Sequence, residues 1–239
     1  MVSPGWLERA LRSRPFVSTG KSRLYKAVAP GGRKVVVKQL VLHEEPWVSL
    51  FRQEILVHRE ISGPGHPHPF PKLVLSDGRR RWSVWEFVAG QAAGRGRFYA
   101  SGTTAGQAQA ILAAIAWIPA VRRQHPLCFA HGDLIASNLI YAKRRVMLLD
   151  WEHSGLRLAG HDLATLWVMA QFAPPLRRAA LAEAKRQRLL GPFWRNAAEI
   201  ASKELRIHAE LKPGDPYKSE RPLAEIRAGL RRALKRART

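Results

Sequence analysis

The chain has 239 residues, 46% of them hydrophobic, so it can bury a core and does not have the composition of a disordered segment. Its single cysteine excludes an internal disulfide and fits a reducing cytoplasm, and no apolar run approaches the ~20 residues that span a bilayer. Lys and Arg outnumber Asp and Glu by 40 to 18, a net charge of +22 that favours anionic partners or reflects a general bias towards Arg.

The first elements are predicted to be a short helix and a β-hairpin. Residues 5–15 form an amphipathic pattern that Pro15 ends, and residues 25–28 and 34–41 form two strand patterns around a Pro-Gly-Gly turn. The intervening Ser18-Thr19-Gly20-Lys21-Ser22 is similar to a phosphate-binding Walker A loop. That motif requires Gly at the position of Pro15, so we reject it.

The second strand contains a lysine that needs an acidic partner. Lys38 lies within a run of β-branched residues, and the helix predicted over residues 46–62 carries Glu54 inside its apolar stripe. A carboxylate on a buried face is costly unless it is paired, so we expect Glu54 to bind Lys38. Glu60 points to the opposite side of the same helix and serves as a solvated control.

The middle of the chain is predicted to contain a second hairpin, a loop and a helix. The strands are residues 73–75 and 81–88, the loop is 91–103, and the helix is 104–124 with a kink at Pro119. His66 and His68, in a Pro-rich stretch, have no nearby third metal ligand and are interpreted as part of an ordinary loop.

Residues 130–152 contain the polar residues with the clearest chemical meaning. Asn138 follows Asp133 by five positions, and Asp150 follows Asn138 by twelve. Between them, residues 139–141 and 146–149 are predicted to form two antiparallel strands joined by the polar residues 142–145. Such a hairpin brings its two ends together and gathers three oxygen-bearing side chains, which is what Mg²⁺ binding and phosphoryl transfer need.

This segment resembles the aminoglycoside phosphotransferase and choline kinase group of the protein-kinase-like superfamily. The group has HGD where protein kinases have HRD, and a triplet like DWE where they have DFG; residues 131–133 and 150–152 carry these forms. Residues 161–164, HDLA, are similar to a further segment of the group. The resemblance covers about Lys38 to Ala164. It implies an α+β, two-lobed kinase with a small antiparallel sheet and one helix in residues 1–89, and a mostly helical lobe in residues 90–239.

The resemblance also implies the roles of individual residues. ATP and Mg²⁺ would be the cofactors, residues 18–22 would cover the phosphates, and Asp162 would brace the catalytic loop. The remaining assignments are catalysis by Asp133, metal binding by Asn138 and Asp150, phosphate binding by Lys38 with Glu54, and adenine binding by the hinge residues Glu86, Phe87 and Val88.

Four further helices are predicted after the catalytic segment, over residues 166–172, 176–190, 196–211 and 222–238. The last has a Leu and Ile stripe beneath a dense basic face. Two interpretations stay open for it: an ordinary packed helix with a solvated face, or a docking surface for nucleic acid or anionic lipid.

We therefore expect a kinase that transfers the γ-phosphoryl group of ATP to a hydroxyl of a small molecule. About 40 residues separate the hinge from the catalytic loop, which makes the chain a short member and leaves a small RIO-like protein kinase as an alternative. A pseudokinase that binds nucleotide or nucleic acid without turnover is the second alternative.

The charge distribution bears on the acceptor. No Asp or Glu lies between Phe87 and Ala130, whereas four arginines do: Arg95, Arg97, Arg122 and Arg123. A polycationic antibiotic needs carboxylates around it, so we expect a neutral or anionic acceptor. Glu152 and Glu199 are the acids that could still build a local acidic pocket.

Overall fold

The structure is a computed structural model, and it describes residues 5–61, 69–118, 123–124, 127–143, 145–211 and 221–239. Its described helices are α1 (Gly5–Arg12), α2 (Trp47–Ile61), α3 (Ala105–Ala116), α4 (His161–Met169), α5 (Pro174–Arg186), α6 (Leu190–Glu210) and α7 (Leu223–Arg238). Its described strands are β1 (Val17–Ser18), β2 (Ser22–Ala29), β3 (Arg33–Leu40), β4 (Leu73–Asp77), β5 (Trp82–Glu86), β6 (Gln91–Ala92), β7 (Gly94–Arg95), β8 (Phe98–Tyr99), β9 (Arg123–Gln124), β10 (Leu127–Ala130), β11 (Leu139–Ala142), β12 (Arg145–Leu148) and β13 (Gly155–Leu158). No helix in this part of the chain is both long and apolar enough to cross a membrane.

The chain divides into two compact units. The first contains Met1–Ala89 and Asp150–His153, and the second contains Gly90–Leu149 and Ser154–Thr239. The assignment of residues 1–89 as the ATP-clamping lobe and 90–239 as the catalytic lobe stays a prediction.

The first unit is built on a five-stranded antiparallel sheet in the order β1-β2-β3-β5-β4. Because successive side chains of a strand point to opposite faces, Val35 and Val37 of β3 enter one apolar cluster, together with Leu7 of α1. Leu40, on the other face of β3, enters a second cluster with Phe51 of α2. Both faces of β3 are therefore covered at its centre, and Lys38, which shares its face with Leu40, is buried there.

The second unit combines small antiparallel sheets with five helices among its described residues. β11 pairs with β12 in the expected hairpin, with Leu139 opposite Leu148, and β6 adds to the other edge of β11. α4 packs against α5 and α6, and α6 packs against α7. The buried residues of α7 are Ile226, Gly229, Leu230 and Ala233. The exposed basic residues of the same helix are Arg231, Arg232, Lys235, Arg236 and Arg238.

Several sequence-based boundaries were wrong. Residues 91–103 are not simply a loop, because they form β6 and the small β7–β8 hairpin. The predicted helix over 104–124 ends at Ala116, and residues 123–124 form a strand that pairs with β10. Strands β10 and β13 were missed. The proposed kink at Pro119 and the loop containing His66 and His68 lie outside the described residues.

Candidate functional site

Lys38 is the buried centre of the first unit's polar cluster. It lies on the face of β3 that α2 covers and is 8% exposed. Its ammonium nitrogen lies 2.8 Å from Glu54 Oε2 and 2.7 Å from Asp150 Oδ1. The expected pairing of Lys38 with Glu54 is thus formed, and Asp150, which sequence reasoning treated only as a metal ligand, is a second direct partner.

Glu152 completes this cluster. Its Oε2 lies 3.6 Å from Lys38 Nζ, and its Oε1 accepts a hydrogen bond from Lys21. Lys21 also lies over the ring of Trp47, 5.4 Å from the ring centroid. Glu152 is 4% exposed, and its carboxylate binds two lysines of its own unit.

Trp151 anchors the two carboxylates that flank it. Its side chain is fully buried, and its ring lies 6.0 Å from that of His58 and 5.6 Å from that of Phe70. His58 also packs against Trp85 at 4.4 Å. A large ring fixed among other rings has little rotational freedom. Burying Trp151 therefore fixes the backbone positions from which the side chains of Asp150 and Glu152 extend.

The backbone at Asp150 adopts a conformation that most side chains disfavour. Its φ angle is 58°, in the left-handed region, which costs an L-residue roughly 1–2 kcal/mol, although Asp enters the region more readily than most. The contact with Lys38 and the burial of Trp151 offset that cost.

Charge imbalance in this cluster shifts two pKa values. Burial raises the pKa of Glu54 to about 7, and the neighbouring Asp150 and Glu152 add to the rise against the pull of Lys38. Burial alone would lower the pKa of Lys38, but the carboxylates of Asp150, Glu54 and Glu152 outweigh it and hold that pKa well above its ordinary value. Lys38 thus stays charged, and Glu54 is the group that takes up a proton as the pH falls.

The second unit contains the other catalytic candidate, Asp133. It follows β10 and a glycine in the left-handed region, Gly132, with φ of 82°. Asn138 Nδ2 donates to the Asp133 backbone oxygen at 3.0 Å and to its Oδ2 at 3.3 Å. The Leu149 N–H donates to the Asn138 backbone oxygen at 2.8 Å, so the two ends of the β11–β12 hairpin do meet.

Asp162 braces the backbone just before Asp133. Its carboxylate accepts the N–H of His131 at 2.8 Å and that of Gly132 at 3.1 Å. Burial by itself would raise the pKa of Asp162, but the His161 ring and the His131 backbone outweigh it and lower that pKa. This is the geometry that the bracing role, implied by resemblance, requires.

His131 holds the same loop from its side chain. It is fully buried, and its Nε2 lies 2.9 Å from the Leu149 carbonyl oxygen, so Nε2 carries the proton. In that tautomer Nδ1 is an acceptor, and it receives the Asp133 N–H at 3.4 Å. His131 thus joins the loop that carries Asp133 to the far end of the β11–β12 hairpin.

The sequence did not indicate the contact of Arg97 with Asp133, and it did not identify Glu204 as a residue of this site. Arg97 Nη2 lies 3.3 Å from Asp133 Oδ1, and the same guanidinium binds Glu204 through two hydrogen bonds of 2.8 and 2.6 Å. Glu204 had a signal in the sequence: it lies four residues after Ile200 and four before His208 on the buried stripe of α6. That is the reasoning that singled out Glu54.

The hinge residues lie at the end of β5. Glu86 is exposed, and its N–H donates to the Lys72 oxygen at 2.9 Å, while the Phe87 N–H donates to the Lys34 oxygen at 3.2 Å. Two of the three amides predicted to contact adenine are therefore already donors within their own unit. The adenine-binding role of Glu86, Phe87 and Val88 stays a prediction.

Each of the two predicted metal ligands has the donor chemistry that Mg²⁺ prefers. Asn138 offers an amide oxygen and Asp150 a carboxylate, both hard ligands, and the Asp150 side chain is 29% exposed and can reach solvent. Among the described residues, no three His, Cys, Asp or Glu side chains are grouped to hold a metal.

The chain has an antiparallel sheet unit followed by a mostly helical unit. The first contains a buried Lys–Glu pair, and the second contains an Asp–Asn pair before a hairpin. These features together define a protein-kinase-like phosphotransferase. Solved structures share this fold. A thermostable mutant of aminoglycoside phosphotransferase APH(4)-Ia, in its apo form, superimposes with a TM-score of 0.58 at 12% identity over 97% of this chain and 98% of that one. Amicoumacin kinase hAmiN, in complex with AMP-PNP, Ca²⁺ and Ami, gives a TM-score of 0.58 at 12% identity over 93% and 86% of the two chains. The streptomycin and ATP complex of APH(2")-IIa gives 0.56 at 10% identity over 90% and 92%.

The sequence itself matches the model of the phosphotransferase enzyme family, APH, over residues 81–201. The chain belongs to this family, and the predicted α+β, protein-kinase-like fold is confirmed. No curated protein sequence matches the chain.

The raised pKa of Glu54 predicts a pH-dependent stability. The folded protein binds this proton more tightly than the unfolded chain does. The free energy of unfolding therefore falls as the pH rises from 4.5, the ordinary pKa of Glu, through about 7. The unfolding free energy of the wild type should therefore fall relative to that of Glu54→Gln between pH 5 and pH 7, as measured by urea denaturation. Glu60→Gln, on the exposed side of α2, is the control and should follow the wild type. Parallel profiles for wild type and Glu54→Gln would contradict the assignment.

Proposed function

We propose that the protein is an ATP-dependent kinase that transfers the γ-phosphoryl group to a hydroxyl of a small molecule. One observation carries the proposal: the buried Lys38 ammonium is held by Glu54 and by Asp150 at 2.8 and 2.7 Å. A buried lysine is costly unless its charge has a use or a partner. Here two carboxylates from different elements fix the ammonium, which suits a group that must meet phosphate oxygens in a set position.

Asp133 is the proposed catalytic base. Its carboxylate would orient the acceptor hydroxyl and take its proton as the oxygen bonds to the γ-phosphorus and the bond to ADP breaks. Asn138 holds one of the Asp133 oxygens at 3.3 Å, which orients the carboxylate before substrate binds. Positioning of this kind is the main contribution a protein makes to phosphoryl transfer.

Asn138 and Asp150 are the proposed Mg²⁺ ligands. Bound Mg²⁺ neutralises charge on the phosphates, and it needs only one or two protein ligands because the nucleotide and water supply the others. Lys38 would bind the phosphates, Glu54 would hold Lys38, and the backbone around Glu86, Phe87 and Val88 would bind adenine. Lys21, in the loop 18–22, brings a further cation to the same unit.

The ligands bound to two structural neighbours support the proposal. One is a complex with AMP-PNP and Ca²⁺ and another a complex with ATP and streptomycin, so a nucleotide, a divalent cation and a small-molecule acceptor are the ligands we propose here. Use of ATP fits a cytoplasmic location. The RIO-like protein kinase and the pseudokinase remain alternatives that the experiments below distinguish.

The residues around the acceptor are proposed to favour a neutral or anionic molecule. Arg97, one of the four arginines between Phe87 and Ala130, binds Glu204, which neutralises its charge. Arg122 and the side chains of Arg95 and Arg123 lie outside the part of the chain that the structure describes. Glu152 is buried against lysines, while Glu199 is only partly buried on α6. We keep the proposal of a neutral or anionic acceptor on the absence of acids between Phe87 and Ala130 in the sequence.

The basic face of α7 was one of two places where the sequence suggested an anionic partner. The helix packs its apolar side on α6, and Arg227 donates to the His208 carbonyl at the end of α6 at 2.9 Å. These are the contacts of an ordinary packed helix with a solvated face. The comparisons do not support an anionic macromolecular partner, so we do not assign one.

Asp133→Asn should abolish most turnover. The amide cannot take the proton, so kcat for Mg·ATP turnover should fall about a hundredfold or more while ATP affinity changes little. Steady-state ADP release and ATP titration measure the two quantities. Turnover within about threefold of the wild type would remove Asp133 from the role of base.

Asp150→Ala should separate metal binding from stability. Removing a metal ligand weakens Mg·ATP binding, whereas metal-free ATP gains access to a Lys38 ammonium that no longer binds Asp150. Calorimetric titration of ATP with Mg²⁺ and with EDTA should therefore show the loss only with Mg²⁺. Equal losses in both conditions would indicate that Asp150 has a structural role alone.

A panel of acceptors tests the proposed acceptor charge. Neutral and anionic alcohols should be phosphorylated in preference to kanamycin-like polycations, because the acids that would bind amines are absent from the segment between Phe87 and Ala130. Coupled ADP assays across the panel measure kcat/KM. A value above ~10⁴ M⁻¹s⁻¹ for a kanamycin-like substrate would overturn the prediction.

A further inference from the structure

Arg97 lies between two carboxylates of the second unit. Its guanidinium makes two short hydrogen bonds to Glu204, and its Nη2 also reaches Asp133 Oδ1 at 3.3 Å. Glu204 is 1% exposed. A buried carboxylate needs a matched cation, and the planar fork of an arginine that binds it through two hydrogen bonds is fixed in direction.

The backbone around Arg97 is tied to the catalytic loop. Arg97 lies in the turn between β7 and β8, after Gly96, whose φ is 62°. The Arg97 oxygen accepts the Ala136 N–H at 3.3 Å, and the Gly96 oxygen accepts the Ser137 N–H at 3.0 Å. These residues lie just before Asn138, so the turn that carries Arg97 and the loop that carries Asp133 form one hydrogen-bonded piece.

Tyr99 adds another link. Its hydroxyl donates to the Leu134 oxygen at 2.9 Å, from a side chain that is 1% exposed. Gly94 lets the hairpin close tightly, because a Cβ there would lie 2.4 Å from the Phe98 oxygen. The short β7–β8 hairpin therefore has a defined position against the catalytic loop.

We propose that Arg97, anchored by Glu204, is a positioning residue that holds Asp133 for catalysis. The proposal rests on the function proposed above, in which Asp133 is the base. Asn138 holds Oδ2 of Asp133 and Arg97 holds Oδ1, so the carboxylate is fixed from both sides. The contact to Asp133 is longer than those to Glu204. The longer contact orients the Asp133 carboxylate, and the two shorter bonds to Glu204 anchor the guanidinium.

The opposing interpretation is that Arg97 only neutralises Glu204. The experiment separates the two with Arg97→Gln combined with Glu204→Gln, which removes both charges and leaves no buried carboxylate unpaired at this pair of positions. Its probe is Mg·ATP hydrolysis, with water as the acceptor. Loss of positioning should lower kcat about tenfold to a hundredfold while KM for ATP stays within about twofold. Arg97→Lys keeps the charge but not the planar fork that binds Glu204 through two bonds, so it should retain only part of the wild-type kcat.

Arg186→Gln is the matched control. Arg186 also binds a glutamate, Glu183 of its own helix, with Nε at 2.8 Å from Oε2, but this pair is on the surface of α5 and is remote in sequence from the catalytic loop. Its kcat should equal that of the wild type. Thermal unfolding and circular dichroism show which variants fold, and if the double variant does not, Arg97→Lys decides the question.

Each outcome bears on one of the two proposals. If the double variant or Arg97→Lys is folded and turns over ATP as the wild type does while Asp133→Asn is inactive, Arg97 has no positioning role and the kinase proposal stands. If the wild type neither binds Mg·ATP nor hydrolyses it, the kinase function fails, and the role of Arg97 is overturned with it.

Discussion

The structure of the first unit depends on one buried ammonium group. Lys38 lies on a strand whose two faces are both covered, so its charge is shielded from water and must be met by carboxylates. Three supply the partners: Glu54 from a helix, and Asp150 and Glu152 from the short segment 150–153. That segment belongs to the first unit although the residues on either side of it belong to the second. The ion pairs of Lys38 and the burial of Trp151 explain why this segment belongs to the first unit, because together they hold all three residues of the tripeptide 150–152.

The loop of the second unit that carries Asp133 is stabilised in a different way. Its backbone is held by Asp162 and His131, and the Asp133 side chain by Asn138 and Arg97. Most of these bonds join a side chain to the backbone, and such bonds define a loop that has no regular strand or helix pairing of its own. The arrangement fixes the position of the Asp133 carboxylate and leaves its side chain 17% exposed.

The sequence predicted the parts of this protein in which polar residues lie within or next to an apolar pattern. The position of Glu54 within the stripe of α2 predicted the partner of Lys38, and two short apolar runs around the polar residues 142–145 predicted the hairpin that joins Asn138 to Leu149. Short strands were missed: β6 to β10 and β13 have two to four residues, and pairing with neighbours rather than local propensity defines them. Arg97 was misjudged for a related reason. Its partner Glu204 is 107 residues away in sequence, and no local pattern connects a turn arginine to a distant helix.

The total charge of the chain is a poor guide to the charge at its polar clusters. The net charge is +22, yet the Lys38 cluster has two lysines and three carboxylates, and the Arg97 cluster has one arginine and two carboxylates. Among the ion pairs of the described residues, each cluster thus has one more carboxylate than it has lysines and arginines. Buried charges interact strongly over a few ångströms, whereas exposed Lys and Arg are screened over about 8 Å at physiological salt. The excess of basic residues therefore acts mainly at the surface. An excess of one carboxylate in the Lys38 cluster is what a divalent cation would complement, so the local charge agrees with the proposed Mg²⁺ requirement where the overall charge gives no indication of it.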